Sequence, residues 1–67
     1  MNLNNNTVAE LKSLAKNVIE GRNKNFAITK KDVYDNYIDY KVRYKGDYSQ
    51  TFIAKFDRYT GLYTITV

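Results

Sequence analysis

The sequence predicts an α+β fold in two layers: one N-terminal helix packed on a three-stranded antiparallel meander. Three observations carry this. Apolar residues recur at helical spacing over 7–20, they alternate at period two through the C-terminal half, and two separate turns agree on one inner sheet face.

The helix is defined at both ends. Thr7 followed by Glu10 forms a capping box, each side chain answering a free backbone N–H of the first turn. Val8, Leu11, Leu14, Ala15, Val18 and Ile19 then fall in an arc of roughly 140° at ~100° per residue, a core-facing stripe. Gly21 supplies a left-handed stop. Residues 22–36 read less regularly. Phe26 and Ile28 suggest a short extended segment, and Thr29-Lys30-Lys31-Asp32 would cap a single helical turn carrying Val33 and Tyr34.

In the C-terminal half Ile38, Tyr40, Val42 and Tyr44 alternate with Asp39, Lys41, Arg43 and Lys45. Phe52, Ala54 and Phe56 alternate with Thr51, Ile53 and Lys55, and Tyr63, Ile65 and Val67 with Leu62, Thr64 and Thr66. Directly opposed residues share a face, so loop length fixes which sets meet. A two-residue turn at Gly46-Asp47 would mix the faces. A connection through Gly46-Asp47-Tyr48 instead opposes Val42 to Phe52, Tyr40 to Ala54 and Ile38 to Phe56. The turn from Asp57 to Leu62, closed by a left-handed Gly61, opposes Phe56 to Tyr63, Ala54 to Ile65 and Phe52 to Val67. Both loops thus build one apolar face. The other face carries Asp39, Lys41, Arg43, Thr51, Ile53, Lys55, Thr64 and Thr66, with Tyr37 and Leu62 near one end. It is expected to stay open to solvent, with Asp39 opposite Lys55.

At 67 residues, the chain is expected to form a single domain over 1–67, with 1–6 as a flexible N-terminus. A chain this short buries only about 60% of the surface its unfolded form exposes. It has no Cys and no His, so disulfides are excluded and a zinc site nearly so. Packing, a second copy or a bound partner must then stabilise it. Absence of Cys fits a reducing compartment. No apolar run approaches the ~20 residues of a membrane span, and the start is polar and uncharged, unlike a secretion signal. The expected setting is cytoplasmic, with no membrane partner. Richness in Asn, Lys, Tyr and Ile suggests a complete small gene from an AT-rich genome, bacterial or phage.

Catalysis finds no support in the residues. There is no His for general acid–base work, no Cys nucleophile, and no Ser or Thr with an evident base. Asp32, Asp35 and Asp39 would align on a helix, but the alternation from Ile38 onward puts Asp39 on a strand. Calcium-loop and phosphate-cradling motifs are absent. No enzyme activity and no cofactor are expected.

Charge is more informative. The net charge is +4, and residues 22–31 alone carry Arg22, Lys24, Lys30 and Lys31 with no acid. The helix sums to zero, residues 32–47 to −1 and 48–67 to +1. A basic cluster attracts phosphates or an acidic protein surface, although solvated lysines in a Lys-rich chain look the same. Seven tyrosines suit interfaces or base stacking, yet Tyr40 and Tyr63 belong to the inner face. Tyr37, Tyr48 and Tyr59, with Tyr34 and Tyr44, are left as candidates for contact. The first and third strands of the meander, as sheet edges, could pair with a second copy or another protein's sheet.

The closing segment, Phe56 to Ile65 with Asp57, Thr60 and Gly61 at its turn, resembles the last hairpin of PepSY-type domains. Those domains also place strands after a helix, and the likeness covers under half the chain. They are usually exported, so no function is carried over. In size and composition the chain is similar to small phage-encoded inhibitors, anti-CRISPR proteins among them, without a shared motif.

The expected function is a small non-enzymatic protein-binding module, an inhibitor from a phage or mobile element that blocks a larger partner protein. Its candidate contact residues are Arg22, Lys24, Lys30, Lys31, Tyr37, Lys41, Arg43, Ile53 and Lys55. The alternative is a nucleic-acid binder with Arg22, Lys24, Lys30 and Lys31 on phosphates and the outer sheet face extending the patch. Asp32, Asp35, Asp39 and Asp47 interrupt any long basic stripe, which favours a protein. A homodimer through an edge strand is the third possibility.

Overall fold

The computed structural model describes residues 5–67, so residues 1–4 of the expected flexible N-terminus lie outside the described part. Helix α1 (Val8–Ile19) is followed by strands β1 (Phe26–Val33), β2 (Tyr37–Tyr44), β3 (Thr51–Asp57) and β4 (Tyr63–Thr66). The strands form one antiparallel sheet in the order β1-β2-β3-β4, with α1 packed on one face. The class is α+β.

The helix begins as its sequence dictates. Thr7 Oγ1 accepts from the Glu10 N–H at 3.1 Å and the Thr7 N–H donates back to Glu10 Oε1 at 3.3 Å. At the other end Gly21 takes φ +78°. Its N–H donates to the Val18 carbonyl and that of Arg22 to the Asn17 carbonyl, the paired bonds of a Schellman stop. The buried stripe is narrower than the spacing predicts. Leu11, Ala15 and Val18 are buried, Leu14 and Ile19 half-buried, and Val8 is 56% exposed.

Residues 26–33 depart from expectation. The helical turn from Thr29 to Tyr34 does not form, and a full strand takes its place, making four strands rather than three. The reason is a bulge. Ile28 pairs with Val42 and Lys30 with Lys41, leaving Thr29 unpaired between them, its Oγ1 donating to the Lys41 carbonyl at 3.4 Å. The extra residue inverts the alternation. Phe26 and Ile28 face the helix before the bulge, and Lys31 and Val33 face that way after it. β1 joins β2 through Asp35-Asn36, with Tyr34 N–H donating to the Tyr37 carbonyl. As a result β2 lies inside the sheet, not at its edge; the edges are β1 and β4.

The register from β2 onward matches the expected one. Val42 opposes Phe52, Tyr40 opposes Ala54 and Ile38 opposes Phe56; Phe56 opposes Tyr63 and Ala54 opposes Ile65. One expected row falls short: β4 stops at Thr66 and Val67 is 67% exposed. Asp57 fixes the last turn, its Oδ1 accepting from the N–H groups of Tyr59 (2.8 Å) and Thr60 (3.0 Å), before Gly61 at φ +74°. The core is Leu11, Ala15 and Val18 against Phe26, Tyr40, Val42, Phe52 and Ala54. Tyr44 belongs here too, half-buried with its ring 5.1 Å from Phe26.

Candidate functional site on the open sheet face

Because α1 takes one face, pairing alone determines what the other presents. Lys30, Asp32, Asp39, Lys41, Arg43, Thr51, Ile53 and Lys55 share it, in the cross-strand pairs Lys30–Lys41, Asp32–Asp39, Lys41–Ile53, Asp39–Lys55 and Arg43–Thr51. Among the described residues no element covers this face. Ile53 lies near its middle, 40% exposed. Beside it is a depression of about 170 Å³ lined by Lys30, Asp32, Asp39, Tyr40, Lys41 and Ile53.

Tyrosines hold two of the cations in place. The Arg43 guanidinium lies 4.1 Å from the Tyr48 ring centre, and Lys55 Nζ lies 4.2 Å from that of Tyr37. Tyr37 in turn stacks on Tyr34 at 4.5 Å. Such contacts contribute about 0.5–1 kcal/mol each at exposed positions, and they restrict long side chains that would otherwise sample many rotamers. Although Lys55 opposes Asp39 in register as expected, its ammonium turns onto Tyr37, and no ion pair joins the two. The Arg43 Nε is enclosed with no hydrogen-bond acceptor among the described residues. Arg58 secures the Tyr34 end, its Nη1 donating to the Tyr34 carbonyl at 2.9 Å and its N–H to that of Asn36 at 3.0 Å.

The four cations of 22–31 are not gathered. Lys30 is on the open face and pairs with Asp32 at 3.6 Å. Lys31 points to the helix side, 5.7 Å from the Tyr40 ring. Arg22 pairs with Glu20 at 3.2 Å beyond the helix end, and Lys24 is exposed in the following loop. Tyr37, Lys41, Arg43, Ile53 and Lys55, by contrast, do share one surface with Lys30. Sequence reasoning did not place Tyr34 and Tyr48 there as supports. Tyr48 lies in the β2–β3 loop, where no alternation pattern could orient it.

A second concavity, a groove of about 460 Å³, lies between α1 and the start of β4. It is lined by Lys12, Ser13 and Lys16 on one side and residues 61–64 on the other. Among the described residues no group of three or more His, Cys, Asp or Glu is placed to hold a metal ion, and no helix is long and apolar enough to cross a membrane. No protein-family model, curated protein or solved structure matches the chain, so the PepSY-like look of the closing hairpin stays a local one.

Proposed function

We propose that the chain is a non-enzymatic binding module that docks on a larger protein through the open face of its sheet. One observation carries this reading: Ile53 sits exposed at the middle of a face whose flanking cations, Arg43 and Lys55, are held over tyrosine rings. Arginine and tyrosine around an apolar centre are the residue types that dominate protein–protein contacts. Holding them rigid before contact lowers the ordering cost of binding.

The same face supports a nucleic-acid reading less well. Phosphate tracks need a continuous basic surface, and here the Asp32–Asp39 pair lies beside Lys30, Lys41 and Lys55 and breaks their run. Lys31 and Arg22 are turned to other sides. Binding without chemistry makes inhibition of the partner the natural consequence, in the manner of small phage or mobile-element inhibitors. A cytoplasmic setting belongs to the same proposal.

The test uses three baits in parallel: the wild-type chain, Ile53→Asp, and Lys12→Glu with Lys16→Glu on the helix side. A protein retained by the first and third baits and lost by the second is the expected result. Equal loss from both variants would place the contact elsewhere. The nucleic-acid alternative is read by fluorescence anisotropy at low and moderate salt. Four phosphate contacts would weaken binding about a hundredfold for a fourfold rise in salt. That slope, abolished by Lys30→Glu with Lys31→Glu, would replace the protein reading.

A further inference from the structure

The two edges of the sheet are built differently. β1 carries the Thr29 bulge with Lys30 and Lys31 beside it, features that discourage another strand from adding there. β4 has none of these. Its residues, Tyr63-Thr64-Ile65-Thr66, are uncharged and favour strands, and the flanking Leu62 and Val67 are 68% and 67% exposed. The phase of its backbone is set by the Asp57 N–H, which donates to the Leu62 carbonyl at 2.9 Å. Leu62, Thr64 and Thr66 therefore aim their backbone groups at β3, and Tyr63, Ile65 and Val67 aim theirs at the free edge. Among the described residues no strand meets them.

We infer that this edge pairs with β4 of a second copy, antiparallel about a two-fold axis at Ile65. The inference goes beyond docking on the open face, which uses different residues. A symmetric pair keeps its faces only if residues of equal parity oppose one another. The register centred on Ile65 does so and also employs all three outward-facing residues. It sets Ile65 against Ile65, Tyr63 against Val67, and on the other face Thr64 against Thr66. Apolar meets apolar and hydroxyl meets hydroxyl, so the segment is its own complement. Val67, exposed in the single copy, gains Tyr63 of the second copy on the helix side, where the groove between α1 and β4 leaves room. A strand from an unrelated protein would have to supply this pattern; a second copy already has it. The product is an eight-stranded sheet displaying two Ile53 faces on one side.

Sedimentation velocity over about 10–500 µM protein covers the weak affinities expected of a short edge pairing. The wild-type chain should approach twice the monomer mass as concentration rises. Thr64→Lys with Thr66→Lys puts like charges opposite one another twice and should weaken dimerisation about tenfold or more. Thr64→Glu with Thr66→Lys makes both oppositions attractive and should keep the dimer, as should Ile53→Asp. A wild-type chain that stays monomeric overturns the inference, as does a Lys/Lys variant that still dimerises or a Glu/Lys variant that does not. A second measurement does not depend on those variants folding well. With no native cysteine, Thr64→Cys and Thr66→Cys chains mixed under mild oxidation should give the mixed disulfide almost alone. A statistical mixture of all three pairs would refute the register.

Discussion

Phe52 and Ile53 are neighbours in sequence on opposite faces of β3, and truncating each in turn tests the face assignment on which the site depends. Phe52 is 1% exposed and opposes Val42, itself fully buried, in the same core cluster as Leu11. Removing a ring from such a position costs about 3–5 kcal/mol, transfer and cavity together. Ile53 is 40% exposed with no helix above it, so Ile53→Ala should cost about 1 kcal/mol or less. Native domains are stable by roughly 0.05–0.15 kcal/mol per residue, which for 67 residues is about 3–10 kcal/mol. Phe52→Ala should therefore remove about a third or more of the chain's stability, while Ile53→Ala removes little of it. Urea titration followed by far-ultraviolet circular dichroism and tyrosine fluorescence reads both. With a slope of about 1 kcal/mol per molar urea, the midpoints should fall by about 3–5 M and at most about 1 M respectively. Equal shifts, or a larger one for Ile53, would mean that the open face is not open and would remove the basis for docking there.

Two further outcomes follow from local geometry. Deleting Thr29 removes the one unpaired residue of β1 and leaves Ile28–Val42 and Lys30–Lys41 as consecutive pairs, so every side chain keeps its face. The deletion should cost less than about 1 kcal/mol by urea titration, and an unfolded product would show that the bulge is not where the register breaks. The Asp57 carboxyl is held below its ordinary value of 3.8 by the backbone N–H groups of Thr60 and Tyr59. Its folded pKa is depressed, so the stabilisation is present above that ordinary value and is lost as pH falls through the lowered one. Urea midpoints measured from neutral pH down to about pH 2 should fall on the acid side, and Asp57→Asn should make that fall shallower. Identical acid limbs would show that the turn's hydrogen bonds carry no linkage.

Sequence made the meander legible because two loops independently imposed the same pairing. Val42 with Phe52 and Phe56 with Tyr63 each follow from counting through a turn, and a register that two turns agree on has few competitors. The helix was legible for a different reason: its Thr7–Glu10 box and Gly21 stop are chemical signals of where it begins and ends. β1 was not legible past Ile28. Read at constant parity, the inner positions after Ile28 would be Lys30 and Asp32, which looks like a strand giving way to polar chain. A bulge built on Thr29 leaves no glycine to mark it. The basic cluster is scattered because adjacent strand residues face opposite sides, and the bulge decides that Lys30 rather than Lys31 reaches the open face.

That single inversion also organises the candidate site. Because Lys30 and Asp32 are turned onto the open face, they join Asp39, Lys41 and Ile53 around one depression, which a regular β1 running on from Ile28 in unbroken alternation would have left half-built. The bulge does a second thing at the edge it occupies, where with Lys30 and Lys31 it discourages strand addition. One unpaired residue thus completes the candidate face and marks the edge beside it, leaving β4 as the edge without a bulge or flanking lysines. A chain this small has few residues to spare for separate devices. Function is therefore best sought in the two surfaces the fold leaves uncovered, the open sheet face and the β4 edge. Both could be occupied at once, because the open face presents side chains and the edge presents backbone.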